Sequence, residues 1–143
     1  MITRRADWPV RLADAIKAAE RRPFAYGTHD CCTAAAGLIL AMTDEDIMRG
    51  WRGRYRSAAG AARLMRGGGG LGGTAATVMA GLNAAQIAPA MAGLGDLVLS
   101  DRALADACGG RALGICIGAA AIFPGDEGWV HLPVLAAVAA WRI

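Results

Sequence analysis

Pro23-Phe24-Ala25-Tyr26-Gly27-Thr28-His29-Asp30-Cys31-Cys32, continued by Thr33-Ala34-Ala35-Ala36-Gly37-Leu38-Ile39-Leu40-Ala41-Met42, is the stretch that decides the fold. Residues 24–30 have no helical period and contain Gly27, so they predict an extended segment and a turn. From Cys31 to Met42 the chain is almost wholly apolar and long enough for a helix. A helix that is apolar on every side is a buried one. Asp30 stands where the cap of that helix belongs, which puts Cys31 in its first turn.

Upstream, Asp7 is expected to cap a helix that starts near Trp8-Pro9, because proline is tolerated in a first turn. Leu12, Ile16 and Ala19 recur at helical spacing, with Arg11, Asp14, Lys17 and Glu20 turned to water, and Pro23 ends the segment. Downstream, Thr43 to Arg56 is polar and broken by Gly50 and Gly53. Ser57 is expected to cap a helix to about Arg66, stopped by glycines 67 to 70. A further short helix is expected from Thr74 to Leu82, then a loop through Pro89 and Gly93. From Gly95 the pattern changes to short β-type runs between turn signals: Asp96 to Leu99, Ala112 to Gly118, Ala121 to Phe123, Trp129 to Leu132 and Val138 to Ile143, with a helical turn over Pro133 to Ala137. Helices followed by strands predict an α+β fold, helices packed on one antiparallel sheet, in a single domain over residues 1–143.

Composition narrows the function classes. The 143 residues include 33 Ala and 20 Gly, and 55% are apolar, which excludes a disordered chain. The uncharged run from Gly67 to Gly95 is mostly Gly and Ala, interrupted by Thr74, Thr77, Asn83, Gln86 and Pro89, and argues against a membrane span. A net charge of +3 is too mild to imply nucleic acid. Six of the fourteen arginines lie between Arg49 and Arg66, interleaved with Trp51 and Tyr55, but Asp44, Glu45 and Asp46 flank them. That stretch reads as a solvated face or a docking surface, with Arg54 pairing an acid to pin the loop. No apolar segment follows Arg4 and Arg5, so no signal peptide is expected, and the protein is made and first kept in a reducing cytoplasm. Its cysteines (Cys31, Cys32, Cys108 and Cys116) then read first as thiols or ligands and second as disulfides.

A cysteine in the first turn of a buried helix meets unpaired backbone N–H groups and the positive end of the helix dipole. That placement favours the thiolate and equips it as a nucleophile, and the same N–H groups suit an oxyanion. The plain alternative is a pair of small residues packed in a core.

The pattern Pro23-Phe24-Ala25-Tyr26-Gly27-Thr28-His29-Asp30-Cys31 resembles the nucleophile motif of NlpC-type cell-wall cysteine peptidases, a papain-like family. Two further stretches match in order. Gly95-Asp96-Leu97-Val98 is similar to the stretch that opens that family's sheet, and Leu113-Gly114-Ile115-Cys116-Ile117-Gly118 is similar to its His-bearing strand. More narrowly, His29-Asp30-Cys31-Cys32, Arg52-Gly53-Arg54-Tyr55-Arg56 and Ala140-Trp141-Arg142-Ile143 resemble an NlpC-like family encoded in phages and prophages. The resemblance implies a papain-like fold and a place at the tip or hub of a phage-like tail, in the virion, with tail proteins as partners. It implies peptidoglycan stem peptides as the substrate of any surviving catalysis, and no cofactor. Cys31 becomes the nucleophile position, with Tyr26, Asp30, Cys32, Ala112 and Cys116 lining its cleft.

The departures weigh as much as the matches. At the position of the family's catalytic histidine stands Ala112, which takes no proton. The third catalytic position falls near Ile122 or Phe123, both apolar. The two remaining imidazoles, His29 in the turn and His131 on a late strand, are the candidate replacement bases for an active peptidase. By strand alternation Cys116 shares a face with Ala112, so Cys31, Cys32, Cys116 and His29 are candidates to converge as free thiols, a disulfide or a soft-metal site. No Cys-x-x-Cys pair is present, which argues against metal. Cys108, in a polar loop, stands apart.

Overall fold

The computed structural model describes residues 1–101 and 110–143. Cys108 lies outside the described residues. Among the described residues four α-helices come first, α1 Trp8–Ala18, α2 Cys31–Thr43, α3 Ala58–Met65 and α4 Gly70–Gly81. Six strands among the described residues come after them: β1 Gln86–Ile87, β2 Leu97–Ser100, β3 Ala112–Cys116, β4 Ala120–Gly125, β5 Gly128–Pro133 and β6 Ala137–Trp141. The strands form one antiparallel sheet in the order β1-β6-β2-β3-β4-β5. The fold is α+β, with helices against that sheet.

α2 is the central element. Ala35, Ala36, Leu38, Ile39 and Met42 are buried on it and join Leu97, Leu99, Leu113, Ile115 and Ile122 of the sheet in the main core. The alternate positions, Val98, Ala112, Cys116, Ala121, Phe123 and Ala140, turn to the other face. There they make a smaller core with Val134, from the 3₁₀ turn Val134–Ala136. Every residue of β2 and β3 is therefore buried, and the apolar runs of these strands reflect having both faces covered. Cys31, at the head of α2, packs against both cores.

Several boundaries differ from expectation. α1 stops at Ala18, not at Pro23, and Asp7 gives it no side-chain cap; Asp7 instead accepts from Arg11 Nε at 2.8 Å. The glycine run ends α3 but does not keep the chain out of a helix. A 3₁₀ turn covers Arg66–Gly68, and α4 then begins at Gly70, four residues before Thr74. The turn brings backbones so close that a Cβ on Gly73 would lie 2.2 Å from the Gly68 carbonyl oxygen, so local packing overrides helix propensity. The expected loop after α4 contains β1, which pairs with β6 through Gln86–Trp141 and Ile87–Ala140. Arg52, not Arg54, makes the ion pair of its loop, bidentate to Asp46 at 2.8 and 3.0 Å; Arg54 donates to the Gly50 carbonyl. Among the described residues no helix is long and apolar enough to cross a membrane.

Candidate functional site

The turn ahead of α2 is closed by backbone bonds between Ala25 and His29 in both directions, at 2.8 and 3.0 Å. Phe24 N–H donates to the Gly125 carbonyl, which ties the turn to the β4–β5 hairpin. Gly27 has φ +85°, and a Cβ there would sit 2.6 Å from the Tyr55 carbonyl oxygen, so only glycine fits. Asp30, 3% exposed, organises both the turn and the start of α2. One carboxylate oxygen accepts from Thr33 N–H at 2.9 Å, while Thr33 Oγ1 accepts from Asp30 N–H at 2.8 Å, a reciprocal capping box. The other oxygen accepts from Gly27 N–H and from the Tyr55 hydroxyl, both at 2.7 Å. Burial, with the negative charge around it, holds the Tyr55 phenol far above its ordinary value, so it stays a donor.

Cys31 is the first residue of α2 and is partly exposed. Its Sγ lies 3.9 Å from Cys32 Sγ. The hydrogen bond from the Cys32 thiol lowers the Cys31 pKa, and the Leu113 backbone helps, against burial and the Asp30 charge. Ala112, 4% exposed, opens β3 directly before Leu113. Ile122 and Phe123 are buried in β4. The arrangement is thus a thiol biased toward thiolate at a helix start, with the neighbouring strand start occupied by a methyl group.

Cys31 makes no hydrogen bond to either imidazole among the described residues. His29, 4% exposed, turns to the α1 side and meets the Trp129 ring edge-on with centroids 5.6 Å apart. Burial and the positive charge of Arg22 push its pKa down, against the Asp30 carboxylate. His131 is exposed on β5, the outer strand, opposite Ile122. Tyr26, in the turn, packs edge-on against Phe24 at 4.8 Å.

Ala112 and Cys116 do share a face, in the smaller core. Cys116 is fully buried, its thiol donates to the Gly118 carbonyl at 3.2 Å, and Cys31 packs against the same smaller core. No disulfide joins Cys31, Cys32 and Cys116 to one another. Among the described residues no three of His, Cys, Asp and Glu are grouped to hold a metal ion. The residue that sequence reasoning misses is Tyr55. Its motif, Arg52 to Arg56, is visible, but nothing local signals a bond spanning 25 positions.

Asp96, fully buried at the head of β2, is a second anchor. It accepts from Arg4 at 2.8 Å, from Ile143 N–H at 3.1 Å and from Gly93 N–H at 2.9 Å, so it ties residues from both ends of the chain to the sheet.

A family model described as Domain of unknown function (DUF6950) matches residues 3–143. No curated protein matches the chain.

Proposed function

The chain belongs to the DUF6950 family, and from the site geometry we propose that it is an NlpC-like, papain-type domain whose catalysis has been lost and which serves as a structural or docking subunit at the tip of a phage-like tail. The observation that carries this reading is Ala112, buried at the start of β3 where the resembled peptidases place their histidine, beside a Cys31 that makes no hydrogen bond to either imidazole among the described residues. Acyl transfer from a thiolate needs a proton for the leaving amine as well as a nucleophile. The helix start and the Cys32 thiol account for the nucleophile; at Ala112 no donor remains. The three matched stretches around Gly27–Cys31, Gly95–Val98 and Leu113–Gly118 support the peptidase ancestry, and the motifs at residues 52–56 and 140–143 support the tail assignment.

The test is digestion of purified cell-wall sacculi by the wild-type protein beside Cys31→Ala. Equal, background release of stem peptides by the two supports the proposal. Release that depends on Cys31 overturns it and establishes the second reading, an active peptidoglycan peptidase with a relocated base; the lowered Cys31 pKa is the observation that favours that reading.

A further inference from the structure

On the far side of the turn from Cys31 lies a pocket of about 340 Å³ between α1 and α2. Arg22, His29, Arg52 and Trp129 line it together with small residues, among them the half-buried Ala19 and the exposed Gly37. The volume lies within the range of small-molecule sites, about 300 to 1,000 Å³. His29 is 4% exposed, yet its ring nitrogens make no hydrogen bond among the described residues; its one ring contact is the edge-on Trp129. Those nitrogens are not shut away from water, so their donor and acceptor capacity is open to a ligand in the pocket that His29 lines. Burial and Arg22 keep the ring neutral, so one nitrogen donates and the other accepts.

The charge around the pocket specifies the ligand. Arg52 is already neutralised by the bidentate Asp46. Arg22 makes one hydrogen bond, to the Thr28 carbonyl at 3.2 Å, and has no acidic partner among the described residues. One uncompensated guanidinium matches one negative charge, and its planar fork matches a carboxylate. The small lining residues leave room for a short apolar body: a Cβ on the exposed Gly37 would meet nothing within 4 Å.

We infer that this pocket binds the carboxylate of a small organic acid or of a peptide end, with Arg22 holding the charge, His29 the second oxygen, and the body of the ligand against the small lining residues beside Trp129. The site is separate from the Cys31 thiol and does not depend on whether that thiol is catalytic.

The experiment is a titration of the full chain, monitored by the ring resonances of His29 and the amide of Gly37, with N-acetylalanine, its primary amide and inorganic phosphate. The free acid is expected to give saturable shifts at millimolar concentration, and the amide none. Arg22→Gln is expected to weaken binding about tenfold, the usual scale for one charge-assisted contact. Gly37→Leu adds a bulky side chain to the pocket lining and is expected to abolish binding while leaving the melting temperature unchanged or higher. No saturable shift with the acid, equal shifts with acid and amide, or binding of phosphate alone would each overturn the assignment. So would binding that survives Gly37→Leu.

Discussion

The Tyr55 hydroxyl donates to the Asp30 carboxylate at 2.7 Å, both residues buried, joining the loop before α3 to the cap of the helix that carries Cys31. Removing the hydroxyl leaves a buried carboxylate short of a charge-assisted bond, a loss of about 1.5 to 3 kcal/mol. Tyr55→Phe is expected to lower the urea midpoint accordingly. Asp30→Asn keeps a side chain able to cap but removes the charge that opposes the Cys31 thiolate. It is expected to destabilise the fold while speeding alkylation of Cys31 at neutral pH, read by mass spectrometry.

Arg4 and Asp96 form the pair that holds residues from both ends of the chain, at 2.8 Å, with Asp96 fully buried. Arg4→Met leaves that carboxylate with the Ile143 and Gly93 N–H groups and with Arg142 at 3.6 Å, so the loss is that of one hydrogen bond to a charged group, about 1.5 to 3 kcal/mol. Denaturant unfolding of the variant is expected to show that loss. Arg5→Met, which touches only the exposed pair with Asp44, is expected to stay within about 0.5 kcal/mol of wild type.

Gly114, in the middle of β3, faces Phe123. A Cβ there would lie 2.5 Å from the Phe123 ring and 2.6 Å from the Ile122 carbonyl oxygen. Overpacking of this kind costs about 1 to 3 kcal/mol, so Gly114→Ala is expected to lower the melting temperature by several degrees. Gly37→Ala, the control in open space, is expected to raise it.

His29 gives the fold an acid-side weakness. Its folded pKa is lowered by burial and Arg22, below the ordinary 6.5, so the unfolded chain binds the proton more readily. Stability from this group is present above about pH 6.5 and is lost as pH falls toward the lower folded value. Unfolding midpoints measured between pH 7 and pH 5 are expected to fall in wild type and to fall less in His29→Gln.

How far the sequence is legible depends on the range of each interaction. The Asp30 cap, the buried α2 and the order of helices before strands are local patterns of capping, periodicity and turn residues, and the fold keeps all three. α4 is longer than its sequence suggests, because glycines at 70 to 73 disfavour a helix in isolation, while here the close Gly68–Gly73 approach selects one. β1 is two residues long and exists only through its pairing with β6, so no alternation announces it. At the site, the first-turn position of Cys31 is readable. The Asp30–Tyr55 bond is not, nor the turning of His29 toward Trp129, because both depend on segments distant in the chain.

The central claim is that Cys31 is a thiol at a helix start without an imidazole base, and its pH profile of alkylation tests this most directly. Wild-type protein is expected to show a single ionisation, below the thiol's ordinary 9.0. Cys32→Ala is expected to move it upward, and His29→Gln and His131→Gln to leave it in place. A profile with a second inflection in the histidine range, abolished by either His→Gln variant, would show a thiolate–imidazolium pair and contradict the claim.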